Sequence, residues 1–327
     1  MFAALSCCAF EARAQVGAPV GALSGAQAGA SCPASRRLYP VVDSLAIGLR
    51  GETTVDWRSG YPLVPITIGT VSGWALVDLG ASMSVITPAL LGDSSRRAPA
   101  AAVGAAPPAS RVALTGVGGE AGLFAKVRVA PLRSGTIDFG ERDLLLAREL
   151  PLLFGRPLQA IVGLDLLAPA GRLRFLRDRG GWRLMFGVGD ADRAPPDSLD
   201  VALTGALLGV TARVDTSAAL LVLDTGSYRT FLDPAMAYRA RFELLKDDDD
   251  PPFGLDGRPV PSRTANVRSI ALGRVRWRDV PIGVARLVSL RPEGHPATVD
   301  GLLGSDLLKT LGAFEVDFRW GKFRFWK

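Results

Sequence analysis

The sequence predicts an all-β protein, mainly strands with a few short helices, built as two copies of one lobe related by a pseudo-twofold axis. Three observations carry that reading. An aspartate closes an apolar run twice, in Leu76-Val77-Asp78-Leu79-Gly80-Ala81 and Val222-Leu223-Asp224-Thr225-Gly226-Ser227, 224 − 78 = 146 positions apart. A second motif, Ile161-Val162-Gly163-Leu164-Asp165-Leu166-Leu167, returns as Leu302-Leu303-Gly304-Ser305-Asp306-Leu307-Leu308, its glycines 304 − 163 = 141 positions apart. Around these landmarks, apolar and polar residues alternate with the period of two that strands require.

In chain order, residues 1–37 form a leader. Residues 2–10 are a short apolar stretch, and Ala12-Arg13-Ala14 fits the small-x-small rule for signal cleavage, which places the protein in the periplasm or outside the cell. A disordered Ala/Gly-rich leader fits equally well, and a lipid on Cys7 or Cys8 would instead anchor the protein to a membrane. All three cysteines, Cys7, Cys8 and Cys32, fall in this leader, so no disulfide framework holds the body together.

The first lobe spans 38–188. Residues 64–68 and 210–214 alternate like strands and precede their aspartates at the same distance. After each aspartate the order Asp, x, Gly, small, x, x, hydroxyl, x, aliphatic recurs: Asp78, Gly80, Ala81, Ser84, Ile86, then Asp224, Gly226, Ser227, Thr230, Leu232. Ala-x-Val-Arg stands at 125–128 and again at 265–268. Each half closes in a hairpin-like element, 173–186 and 314–326, turning at Gly180-Gly181 or Gly321. Residues 189–197, with Pro195-Pro196, read as a linker and 198–327 as the second lobe. Residues 98–110, rich in Ala and Pro, are an insertion peculiar to the first copy.

Composition agrees. The chain has 327 residues, 48% of them hydrophobic, enough for two cores. No segment reaches the roughly 18 uncharged apolar residues of a membrane span. The best candidate, 71–91, is broken by Asp78 and by several Ser and Gly. Net charge is +6, and the basic residues are almost all Arg alternating with apolar ones, as in Arg172-Leu173-Arg174-Phe175 and Arg274-Val275-Arg276-Trp277. That pattern is expected of solvated strand faces. Basic runs interleaved with aromatics are lacking, which argues against a nucleic-acid partner. The acidic run 247–250, followed by Pro251-Pro252, reads as an exposed loop.

A carboxylate at the tip of an apolar strand costs desolvation energy unless hydrogen bonds meet it. One such aspartate would be a cap or an Asx turn. Two in register on related lobes can be brought to one point by the pseudo-twofold axis. Two carboxylates about 3 Å apart repel by about 5 kcal/mol at an effective dielectric of about 20, so the pair shares one proton. Such a pair holds a water between a base and an acid.

Asp224-Thr225-Gly226-Ser227 resembles the Asp-Thr-Gly signature of aspartic proteases, and Ile161-Val162-Gly163 and Leu302-Leu303-Gly304 resemble the hydrophobic-hydrophobic-Gly segment that braces each catalytic loop. The continuation Gly-x-Asp-Leu-Leu in both copies is similar to the retropepsins, and the chain looks like two retropepsin-like lobes fused in one polypeptide. The resemblance implies an aspartic endopeptidase acting on a peptide or protein substrate, monomeric, with no cofactor and no metal. It implies Asp78 and Asp224 as the catalytic pair. Gly80 and Gly226 would let the backbone turn tightly behind each carboxylate, and Thr225 would bond across to the partner lobe's backbone. Gly163 and Gly304 would brace the catalytic loops, and Ser84 and Thr230 would hydrogen-bond within them. Leu79 departs from the pattern. It replaces the first-lobe threonine, so half of the cross-lobe grip is missing, and a buried N–H left alone there would cost roughly 1–3 kcal/mol. A peptide-binding pseudoprotease is therefore the second reading, and a purely structural two-lobed domain the third.

Residues 116–121, Gly-Val-Gly-Gly-Glu-Ala, fit a dinucleotide fingerprint, but that motif must open a helix and the segment that follows alternates like a strand. Val117, Gly118 and Gly119 instead form a hairpin tip, resembling the flap that closes over substrate, with 253–258 as its counterpart. An ordinary hairpin turn fits both equally well. His295, the only histidine, lies between Gly294 and Pro296 in an expected surface loop, and no nucleophile-elbow sequence supports a triad around it. Asp165 and Asp306 each follow a glycine at the start of a short helix, where helix capping is expected.

Overall fold

The computed structural model describes residues 4–5, 49–92, 111–116, 119–150, 152–153, 156–187, 197–254, 257–287 and 299–327. Most of the leader, the 98–110 insertion, linker residues 189–196 and His295 lie outside them. The described chain is mostly strand, with short helices at Leu164–Leu167, Pro234–Ala240 and Ser305–Leu308. No helix among the described residues is long and apolar enough to cross a membrane.

The first half folds around a seven-stranded sheet, ordered Leu63–Ile68, Val71–Val77, Ala160–Val162, Val85–Ile86, Ile137–Leu146, Gly119–Ser134 and Arg111–Gly116. Its centre explains why the two sequence motifs recur together. Val71–Val77 starts half-exposed and ends in the buried run Ala75, Leu76 and Val77, which delivers Asp78 to the interior. Ala160–Val162 lies parallel to it, Val162 opposite Val77, and antiparallel to Val85–Ile86. Strands so enclosed must be apolar on both faces, which is why Ala160, Ile161 and Val162 are all buried.

The second half repeats this pattern. Ser217–Leu223 runs parallel to Gly301–Leu303, and Phe231–Leu232 pairs antiparallel with Gly301–Leu303.

The two halves meet in a six-stranded strip ordered Asp197–Thr204, Lys322–Trp326, Ala313–Asp317, Arg172–Asp178, Gly181–Phe186 and Gly51–Val55. The strip is itself symmetric. Its central pair, Arg172–Asp178 and Ala313–Asp317, comes from the closing hairpins of the two halves. One of its faces is aromatic, with the Phe175 and Phe314 rings stacked at 4.7 Å between centroids and Trp57 at 5.3 Å from Phe175. A single apolar core containing these rings runs through both halves.

The other face overturns one expectation. Arg172 and Arg174 are not solvated but 6% and 8% exposed. Register supplies the reason, since it sets Arg172 opposite Asp317 and Arg174 opposite Glu315. Arg172 Nη2 lies 2.9 Å from Asp317, Arg174 Nη2 2.6 Å from Glu315, and Arg324 Nη1 reaches both acids at 3.1 and 2.8 Å. Burial alone would raise the Asp317 carboxyl, but the Arg324 and Arg172 guanidiniums outweigh it and hold the group below the ordinary carboxylate range. Arg274 behaves as the alternation predicts, exposed and paired with Asp197.

Candidate active site

Asp78 and Asp224 end matching strands and are buried, 0% and 1% exposed. Each is seated by the parallel strand beside it, the Asp78 N–H donating to the Val162 carbonyl at 3.0 Å and the Asp224 N–H to Leu303 at 3.1 Å. Asp78 Oδ1 accepts the Gly80 N–H at 2.7 Å, whereas Asp224 Oδ1 accepts the Ser227 N–H at 2.9 Å. The two loops are thus alike in plan but place this hydrogen bond differently.

The motif glycines lie in the turns expected of them and have a second task. Neither has a positive φ. A Cβ added to Gly80 would lie 2.5 Å from Cγ of Asp224, and one added to Gly226 would lie 2.3 Å from Oδ2 of Asp78. Each carboxyl therefore occupies the space in front of the opposite lobe's glycine, and the missing side chain makes room across the seam.

Thr225 spans the same seam. Its hydroxyl accepts the Leu79 N–H at 3.0 Å and donates to the Val77 carbonyl at 2.7 Å. The Leu79 N–H therefore keeps its partner, and the donor that a hydroxyl at residue 79 would serve by symmetry is the Thr225 N–H. What Leu79 lacks is only its own hydroxyl, and its side chain is fully buried in the core together with Leu164. In the second lobe the equivalents of that apolar pair are Thr225 and Ser305, and Ser305 Oγ donates to the Thr225 carbonyl at 2.9 Å. The substitution is thus one of two matched changes from polar to apolar. The Leu164/Ser305 difference could be read in the sequence, but its link to position 79 could not.

Behind each loop stands a three-part brace. The Gly163 N–H donates to Ser84 Oγ at 2.9 Å, and that hydroxyl donates to Asp165 at 2.6 Å. In the second lobe the Gly304 N–H donates to Thr230 Oγ1 at 3.1 Å, and Thr230 donates to Asp306 at 2.8 Å. Ser84 and Thr230 therefore do not bond within their own loops; they tie each loop to the short helix beneath it. Asp165 and Asp306 are not the helix caps either, since Gly163 and Gly304 hold that position. Burial pushes both carboxyls above their ordinary range, against the hydrogen bonds from Ser84 and Thr230. The two glycines are required by close approach, because a Cβ on Gly163 would lie 2.7 Å from the Met83 carbonyl oxygen and one on Gly304 2.5 Å from that of Arg229.

Of the expected flap, Val117 and Gly118 lie outside the described residues, and Gly119 opens the long strand Gly119–Ser134 with φ +118. The fingerprint 116–121 opens no helix. The second-lobe counterpart is a hairpin closed by a bridge between Phe253 and Pro259 and by the Gly254 N–H to the Arg258 carbonyl at 2.9 Å. The acidic run before it is only partly the exposed loop expected from its charge. The Asp247 and Asp249 side chains are 98% and 81% exposed, but that of Asp248 is 3% exposed and paired with Arg229.

Residues 210–307 match the family model described as aspartyl protease. No curated protein matches the chain. Among solved structures, an aspartic proteinase from Irpex lacteus is 12% identical over 85% of this chain and 97% of its own, with a TM-score of 0.50. A retropepsin-like aspartic protease from Rickettsia conorii is 16% identical over 39% of this chain and 87% of its own, with a TM-score of 0.28. The second half of the chain carries the aspartyl protease pattern, and the whole has the two-lobed, all-β aspartic protease fold.

Proposed function

We propose that the protein is an aspartic endopeptidase that hydrolyses peptide bonds with a water held between Asp78 and Asp224. The family pattern and fold support peptidase activity in general. The observation that favours this particular pair is the crossed placement of each carboxyl against the other lobe's glycine. Two carboxyl groups so close cannot both ionise, so one proton is shared. The ionised member takes a proton from the water as it attacks the scissile carbonyl. The protonated member hydrogen-bonds the carbonyl oxygen as charge develops there, and a proton passes to the leaving amine as the C–N bond breaks. The chemistry needs no metal, cofactor or covalent intermediate.

The substrate in this reading is an extended peptide, lying between the lobes as an added strand beside the hairpin of Arg111–Gly116 and Gly119–Ser134. We place the enzyme outside the cytoplasm, as a monomer, on the signal-like leader and the single-chain pairing of the lobes.

The competing reading, a peptide-binding pseudoprotease, rests on Leu79. It is weakened because the half of the cross-lobe grip that Thr225 supplies is intact, its hydroxyl tying the second lobe to the Leu79 N–H and the Val77 carbonyl of the first. Turnover of an unfolded protein substrate by the wild type, set against Asp78→Asn and Asp224→Asn, decides between the two.

A further inference from the structure

The two catalytic loops are anchored by different chemistry. Aligned at the spacing of the aspartates, Met83 in the first lobe corresponds to Arg229 in the second, and Ser82 to Tyr228. Met83 is partly buried against the same apolar cluster that Val112 and Phe124 of the first-lobe hairpin border. Arg229 instead forms a buried ion pair with Asp248, on the rising arm of the second-lobe hairpin. The pair is well supported. Asp248 also accepts the Ser262 hydroxyl at 2.9 Å and the Asp250 N–H at 3.2 Å. The Arg229 guanidinium lies over the Phe231 ring at 4.9 Å and the Tyr228 ring at 5.5 Å. The Tyr228 hydroxyl donates to the Asp250 carbonyl at 3.0 Å, and its ring reaches across the seam to Tyr61 at 6.3 Å.

The consequence is an asymmetry in two otherwise matching hairpins. An ion pair that is desolvated, with its carboxylate held by two further hydrogen bonds, is expensive to break, because either partner alone would be a buried charge. Apolar packing on a methionine can slide without leaving an uncompensated group. The first-lobe arm is also bulged between Leu114 and Thr115, and a Cβ on Gly119 or Gly122 would touch nothing.

We propose that Arg229 is a positioning residue. Through Asp248 it locks the second-lobe hairpin, about 244–260, onto the loop that carries Asp224, which fixes one wall of the substrate site. The inference rests on the endopeptidase reading for its functional part, but the lock itself is independent of activity.

The test uses the full chain with Arg229→Met, which installs the first-lobe residue, Asp248→Asn, and the charge reversal Arg229→Asp with Asp248→Arg. Hydrogen exchange of 244–260 should accelerate at least tenfold in both single variants and return toward wild type in the reversal. With an unfolded protein substrate, kcat/KM should fall about tenfold, mostly through KM, and the distribution of cleavage sites should change. Unchanged exchange in Arg229→Met would overturn the lock, whatever the enzyme does. Faster exchange with unaltered KM and cleavage sites, activity falling only with the folded fraction, would overturn the positioning role and leave a structural one. A wild type that turns over nothing yet shows the exchange difference would count against the endopeptidase reading while upholding the lock.

Discussion

The Thr225 hydroxyl accepts the Leu79 N–H and donates to the Val77 carbonyl, so one side chain of the second lobe satisfies two backbone groups of the first. Thr225 and Leu79 are both fully buried, and no water can replace the hydroxyl without opening the seam. Replacing Thr225 with valine keeps the shape and removes both bonds. The expected cost is about 1–3 kcal/mol for each buried group left unmet. Equilibrium urea unfolding of Thr225→Val should show the lower midpoint.

The crossed glycines make a sharper prediction. Gly80→Ala and Gly226→Ala each place a methyl within 2.5 Å of the opposite carboxyl, and under normal contact distance something must move. A displacement of about 1 Å in a reacting group costs on the order of a hundredfold in rate. Both variants should lose that much kcat while their far-ultraviolet spectra stay those of the wild type. Glycines serving only the turn would tolerate alanine, since neither φ is positive.

These glycines also mark where sequence reading stops. The duplication, the strand-ending aspartates and the brace motifs were legible because they are local and repeated at nearly constant spacing. Contacts across the seam were legible only where the family resemblance supplied one, as for Thr225, since no local pattern tells that Gly80 faces Asp224 and not its own lobe. The same limit explains Arg172 and Arg174. Alternation says that they share a face, but only the pairing of the two closing hairpins reveals Glu315 and Asp317 on it. Asp248 was hidden for a related reason, because a run of four acids reads as solvated until Arg229 is placed beneath it.

The braces predict a pH dependence of stability. Burial raises the Asp165 and Asp306 carboxyls above their unfolded values, so the stability they contribute is fully present below the unfolded pKa, about 4, and is lost as pH rises through the raised folded value. Asparagine at either position keeps an acceptor for the Ser84 or Thr230 hydroxyl and abolishes the titration. Melting temperatures of the double variant Asp165→Asn, Asp306→Asn should gain on the wild type as pH rises above about 4, and level off once the folded-state carboxyls have ionised.

The interlobe strip predicts the opposite slope. Asp317 is held below its ordinary range, so its contribution is present above the unfolded pKa and is lost as pH falls through the folded one. Asp317→Asn leaves Arg172 and Arg324 without this carboxylate and should cost about 3–5 kcal/mol at neutral pH, as for a broken buried pair. Chemical unfolding at pH 7 and near pH 3 should show the deficit shrinking in acid.

The central claim is that Asp78 and Asp224 act together on one water. Its most direct test is cleavage of an unfolded protein substrate from acid to neutral pH by the wild type, Asp78→Asn and Asp224→Asn. The account predicts activity on the acid side of neutrality in the wild type, falling toward neutral pH as the shared proton is lost, and abolished in both variants. Activity that persists in either folded variant, or a wild-type profile flat through neutrality, would contradict it.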